Sequence, residues 1–415
     1  MQACIHRGSK EIGGSCVEII SQDKRIVIDL GLPLDVVINS NTNLPDIQGL
    51  IQKDDSLLAI FISHPHIDHY GLLSYIRKDI PVIMGAAASR IITAAAPFVQ
   101  NSYTIPACAM TLKSEENIKL GPFTITPYLM DHSGYDSYSL LIEADGKRLF
   151  YTGDFRSHGR KAILTEKLIS NPPPDIDVLL MEGSTLGRDD ANTHYPTEAD
   201  IEKQLSDIFK NTAGLTLVHV SSQNIDRIVS IFRACKRMNK TLVIDLYTAV
   251  ILDATGNKNI PQSSWPGVAL FIPQFQRVKI KNDKLFESLQ KHSIERIYIE
   301  IIKEFADKYV LLFRSLHIPD LEKNDLQKKS MYIYSMWEGY WTSNSLSPVR
   351  EWINKYSIPM VRIHTSGHSS AADLKRFAES MRPGIVVPIH TFEPEKFSEI
   401  FNNVKLYSDG EYWEV

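Results

Sequence analysis

Cysteine is scarce in this chain of 415 residues. The four, Cys4, Cys16, Cys108 and Cys235, lie too far apart in sequence to suggest a disulfide framework or a thiolate metal cluster. They are expected as small buried hydrophobes. Long apolar runs are missing as well: no stretch approaches the roughly 20 residues a membrane span needs, and Met1 to Gly8 lacks the apolar core of a secretory leader. A cytoplasmic protein with no membrane partner is expected. Charge of one sign is also lacking. The net charge is −4, and residues 189 to 349 sum to +1, so any nucleic-acid footprint must be a local patch. Arg277, Lys279, Lys281 and Lys284 are the best candidates, with a solvated strand edge or loop as the plainer reading. There is no internal repeat and no low-complexity segment.

What is present is a globular composition, 43% apolar and 23% charged. The length suggests two domains, or one large domain with an insertion. The first half reads as short strands. Val17 to Ile20 and Arg25 to Asp29 look paired, and Tyr138 to Glu143 and Lys147 to Thr152 flank Asp145-Gly146, a tight-turn signal. Residues 71 to 78 and 88 to 98 have helical spacing. From about residue 196 helices and strands alternate, which predicts βαβ units around a small parallel sheet. Arg188 to Pro196 reads as the linker into this region and Gly339 to Pro348 as the linker out. Strand, helix and strand then resume with Met360 to Ile363, Ala371 to Met381 and Ile385 to Ile389.

Chemistry concentrates in His64-Pro65-His66-Ile67-Asp68-His69, directly after the apolar strand Leu57 to Ile62. Three imidazoles and a carboxylate on one turn form a ligand set suited to a divalent metal. Asp29, His132, Asp154 and His390 each follow an apolar strand too, where side chains converge at a sheet edge. A lone Asp there is usually a turn or cap residue, and a lone His a satisfied core group. Their joint appearance points to one centre.

This ordered set resembles the metallo-β-lactamase superfamily, whose mark is H-x-H-x-D-H followed by a distant His, Asp and His. The resemblance implies an α/β fold, an αββα sandwich with a dinuclear site. His64, His66 and His132 would hold one cation, Asp68, His69 and His390 the other, and Asp154 would bridge. Two divalent cations are implied, zinc before manganese, with a bridging hydroxide as nucleophile. Asp29 would orient a ligand imidazole from behind.

The segment between Asp154 and His390 is similar to the insert of the β-CASP nucleases, a group that includes ribonuclease J. Met181-Glu182-Gly183 fits the acidic motif through Glu182, Ser366-Gly367-His368 the second motif through His368, and Val387-Pro388-Ile389-His390 the third. Ser222 to Arg227 resembles the insert's first strand-to-helix turn. The implied organisation is a sandwich of residues 1–190 and 349–415 around a β-CASP-like α/β domain at 191–348. The implied activity is hydrolysis of nucleic acid, RNA before DNA, with Asp68, His368 and Glu182 in the chemistry. Ser366, Gly367, His364 and Arg227 are weaker candidates for contacts to the substrate phosphate. Trp337 and Trp341 would either stack on bases or pack a domain seam. Ribonuclease J carries a further domain beyond the last metal His, whereas residues 391 to 415 suffice here only for a helix and a final strand. Its assembly mode is therefore not expected to carry over, and self-association stays open. The rival reading is a metallo-hydrolase of a small phosphoester, ester or lactone, with the insert as a lid.

Overall fold

The computed structural model describes residues 1–34, 44–99, 105–188 and 193–415. Six strands come first: β1 (Gln2–Arg7), β2 (Cys16–Ser21), β3 (Lys24–Ile28), β4 (Leu57–Ile62), β5 (Val82–Gly85) and β6 (Cys108–Leu112). Five more follow: β7 (Ile118–Leu120), β8 (Phe123–Met130), β9 (Ser137–Ala144), β10 (Lys147–Tyr151) and β11 (Val178–Glu182). After a third set of strands come β19 (Ile385–Ile389) and β20 (Tyr412–Glu414). One sheet runs β20-β1-β2-β3-β4-β5-β6 and a second β19-β11-β10-β9-β8-β7.

Alternation along the strands explains how these two sheets pack. Ile26 and Ile28 of β3 and Ala59 and Phe61 of β4 meet Ile125, Ile142, Leu149 and Leu180 of the second sheet in one core. Val27, Ile60 and Ile62 point the other way, into a layer with Tyr70, Leu72 and Ile92. The outer face of the second sheet is covered by Leu168, Leu374 and Phe377, from the helices Ala162–Ser170 and Ala371–Met381. The result is the αββα sandwich. Strands buried on both faces read as continuous apolar runs, which is why β4 was visible in sequence. The β9–β10 hairpin turns through Asp145 and Gly146, both at positive φ. Of residues 71–78, only Gly71–Tyr75 forms a helical turn, of the 3-10 type. The chain then turns away, and Arg77 N–H donates to Leu50 O.

The third sheet is built from β12 (Thr216–His219), β13 (Thr241–Ile244), β14 (Val268–Phe271), β15 (Arg296–Ile297), β16 (Tyr309–Phe313), β17 (Met331–Tyr334) and β18 (Met360–Arg362). Its order is β15-β14-β13-β16-β12-β17-β18, and all its pairs are parallel. The chain divides into two compact units, the second being Pro97–Val99 with Pro196–Ser366. β18 pairs with β17 and so belongs to the second unit, not to the sandwich portion read from residue 349. Three residues carry too little pattern to show which sheet they join. Gly339 to Pro348, read as a linker, is instead wound into the short helix Glu338–Trp341 and a 3-10 turn at Asn344–Leu346. The boundary read at 190/191 lies outside the described residues. Arg277, Lys279 and Lys281 ride on the helix Gln274–Asn282, and not on a strand edge. Among the described residues, no helix is long and apolar enough to cross a membrane.

Candidate metal centre

Each ligand-type side chain sits where a strand of the sandwich ends. His64 to His69 follow β4, His132 follows β8, Asp154 follows β10 and His390 follows β19. Their atoms gather in four overlapping groups: His64, His66 and His132; His64, His69 and Asp154; Asp68, His69 and His390; and Asp154, His368 and His390. Within each group the ligand atoms lie within 4.8 Å of one another. Asp154 Oδ2 is the common point, 3.2 Å from His69 Nε2, 3.6 Å from His64 Nε2, 3.7 Å from His390 Nε2 and 3.9 Å from His368 Nδ1. Asp68 Oδ2 lies 3.9 Å from both His69 Nε2 and His390 Nε2.

Outer partners set which nitrogen of each ring faces inward. His69 Nδ1 donates to Asp29 Oδ2 at 2.8 Å, and His132 Nδ1 to Gly367 O at 2.7 Å. Ser63 Oγ gives its proton to Asp29 and lies 3.0 Å from His64 Nδ1, which donates to it. Ser15 Oγ sits 2.9 Å from His390 Nδ1. In His64, His69 and His132, therefore, Nε2 is the ring nitrogen that faces the centre. Asp29 is fully buried at φ +57 and also accepts from Ser63 N–H and Tyr151 O–H, both at 2.7 Å. Nearby, Gly31 lets the backbone approach: a Cβ there would fall 1.7 Å from Asp68 O.

The donor set fits divalent cations. His64 Nε2 and His132 Nε2 lie 3.1 and 3.2 Å from His66 Nδ1, so three imidazole nitrogens crowd one point. His69 Nε2, His390 Nε2 and Asp154 Oδ1 are buried with no hydrogen bond. Such groups are costly unless something positive sits among them. Burial, followed by neighbouring imidazoles, holds His64 and His132 well below the usual imidazole range, and burial also lowers His66 and His390. Burial would raise Asp154, but His390, His69 and His368 outweigh it and keep the carboxyl well below its ordinary range. His69 differs: burial pushes it down, yet Asp154, Asp29 and Asp68 together hold it well above the usual value. Without cations, a proton on His69 balances these carboxylates, and metal binding would release it.

Glu182 ends β11 and is buried, accepting from Phe155 N–H at 2.9 Å and Ser184 O–H at 2.6 Å. Its Oε2 also holds His368 Nδ1 at 2.9 Å. Burial lowers His368, but Glu182 and then Asp154 outweigh that and push it up to about 9. The ring is 26% exposed.

The weaker phosphate candidates fare differently. Arg227 must be corrected: it is fully buried, with Nε and Nη2 on Glu198 at 3.2 and 3.0 Å and Nη1 on Ser335 O at 3.3 Å. Its donors are committed inside the second unit, so it cannot reach a phosphate. Gly367 offers its carbonyl to His132. His364 and Ser366 belong to the second unit, both half-buried, and Gly367 and His368 to the first. Trp341 packs edge-on to Tyr334 with ring centres 4.9 Å apart, whereas Trp337 is 43% exposed. Sequence reasoning missed Ser63, Tyr151, Ser15 and Ser184. Ser63 abuts the histidine run, but nothing local marks the other three.

Comparison with known proteins agrees with this geometry. Residues 24–260 match the family described as the beta-lactamase superfamily domain, and residues 359–399 match the Zn-dependent metallo-hydrolase RNA specificity domain. The chain belongs to the metallo-β-lactamase superfamily. Within it, the chain is a ribonuclease J-like member of the β-CASP group. Ribonuclease J of Helicobacter pylori (strain ATCC 700392 / 26695) is 25% identical over 254 residues, covering 57% of this chain and 35% of that protein. Ribonuclease J of Sinorhizobium meliloti is 22% identical over 364 residues, covering 84% and 60%. Ribonuclease J2 of Bacillus subtilis is 21% identical over 408 residues, covering 92% and 68%. The chain thus matches only about a third to two thirds of these relatives' lengths. A crystal structure of a protein of unknown function from Enterococcus faecalis V583 shares the fold, with a TM-score of 0.81, 20% identity and 99% of each chain covered.

Proposed function

We propose that this protein is a dinuclear metal-dependent phosphodiesterase that hydrolyses RNA. The observation that carries the reading is the gathering of seven ligand side chains into overlapping groups, with His368 in the group that contains Asp154 and His390. His64, His66 and His132 would hold one cation, Asp68, His69 and His390 the other, with Asp154 between them. When bound, such a pair of cations lowers the pKa of water and offsets charge on the attacking and leaving oxygens. The nitrogen and oxygen donors suit zinc or manganese. Asp68, the one partly exposed carboxylate of the set, would orient the attacking water. His368 is the proton donor: Glu182 fixes Nδ1, so Nε2 carries the proton toward the leaving oxygen. Glu182 is a positioning residue. The match to an RNA specificity domain and the names of the relatives support RNA as the substrate.

The test is incubation of metal-loaded protein with 5′-labelled single-stranded RNA and with a small phosphodiester. RNA products are expected; hydrolysis of the small diester alone would favour a small-molecule hydrolase. His368→Ala should reduce turnover by about 10²- to 10⁴-fold while metal analysis still finds two ions per chain. Loss of metal in that variant would make His368 a ligand instead.

A further inference from the structure

Three exposed large apolar side chains are neighbours, in the chain or through a contact, of residues in the centre of imidazoles and carboxylates. Ile67 lies between His66 and Asp68 in the chain. Leu34 packs over Gly13, beside the Asp68 side chain, and Gly13 N is 3.4 Å from His390 Nδ1. Phe392 follows His390 by two residues, and all three are exposed, Phe392 at 54%. A single exposed Leu is ordinary. Apolar groups bordering a reactive centre are what a substrate's non-reacting parts rest on.

Of the three, Phe392 is the most firmly placed. His390 takes φ +54, a left-handed conformation that non-glycine residues seldom adopt, and this redirects the chain just before the phenyl ring. Thr391 is fully buried and its Oγ1 accepts from Glu393 N–H at 3.2 Å. The loop after Glu182 packs against the same segment. Gly187 sits at φ +80, a conformation that favours glycine, with the Glu393 carboxylate close to its Cα. The next residue, Arg188, sets its guanidinium 5.3 Å above the Phe392 ring centre. A cation lies over the ring, and the side chain is still 54% exposed.

We propose that Phe392, backed by Arg188, stacks on the base of a nucleotide adjoining the cleaved phosphate. The proposal rests on the ribonuclease reading above and extends it to substrate contact. Every base offers a π-face, so an exposed flat ring two residues after a ligand-type histidine suits RNA of any sequence. A guanidinium stacks as well as an aromatic ring does and adds positive charge beside the phosphates. The acyl chain of a small ester would call instead for an enclosing pocket.

Phe392→Ala, Phe392→Leu and Phe392→Trp test this in two assays. Anisotropy of a fluorescein-labelled single-stranded RNA is read with metal-free protein. Steady-state kinetics are read with loaded protein on RNA and on bis(p-nitrophenyl) phosphate. The alanine variant should bind RNA about tenfold more weakly, raise KM for RNA more than it lowers kcat, and lose at least about fivefold more on RNA than on the small diester. Trp should bind as tightly as Phe, and Leu should recover only a minor part. RNA binding by the alanine variant within about twofold of wild type, a leucine variant equal to wild type, or equal losses on both substrates would each overturn the proposal. A wild-type protein that cuts the diester and leaves RNA intact would instead refute the ribonuclease reading, and the stacking site would fall with it.

Discussion

Asp29→Asn probes the layer behind the metal centre without disturbing shape or backbone. Asparagine tolerates the φ of +57 found there. The wild-type carboxylate is fully buried and takes four donors, Ser63 N–H on Oδ1 and Ser63 O–H, His69 Nδ1–H and Tyr151 O–H on Oδ2. An amide can turn its oxygen toward the three donors, but its NH2 then faces Ser63 N–H. One hydrogen bond to a charged acceptor, worth about 1.5–3 kcal/mol, is lost outright. The other three lose charge assistance, roughly half their strength. The metal-free protein should therefore lose about 4–7 kcal/mol of stability, read by denaturant unfolding. His69 and, through Ser63, His64 would no longer be held in place, so metal affinity should fall about 10- to 100-fold, read by competition with a chromophoric chelator. A variant that binds metal within about twofold of wild type would refute the claim that Asp29 orients these rings.

Two further outcomes concern the second unit. Arg227→Met should cost about 3–5 kcal/mol, because it removes the guanidinium that offsets the buried Glu198 carboxylate; pairing it with Glu198→Gln should recover much of that loss, and a double variant no better than the single would refute the ion-pair account. Acid should weaken the same unit: burial, then Arg314, then His317 hold His219 at about 4, and burial and Arg314 hold His317 at about 4 against the opposing pull of Asp245. The unfolded chain, near 6.5 for each imidazole, binds protons first, so this stability is complete above pH 6.5 and is lost as pH falls from there toward 4, by about 3 kcal/mol per histidine. Trp265, Trp337, Trp341 and Trp352 all lie in this unit, so tryptophan fluorescence follows its unfolding; a free energy of unfolding that stays flat between pH 7 and 5 would refute the linkage.

The chemistry of the centre was legible because its parts are local. His64 to His69 fall on one turn after a strand whose two buried faces make it an unbroken apolar run, and Asp154, His132 and His390 each close a similar strand. Local pattern also showed the β9–β10 turn and the alternation around β12 and β13. Pairing between distant residues was not legible. Arg227 reads as a free cation until folding brings Glu198 against it, and β18 is too short to announce which sheet takes it up. Asp29 looks like any turn carboxylate until four donors, three of them from Ser63 and Tyr151 at strand ends, surround it. Composition and periodicity are properties of a few consecutive residues. Burial and charge compensation depend on contacts across hundreds of residues, and only the assembled sheets decide those.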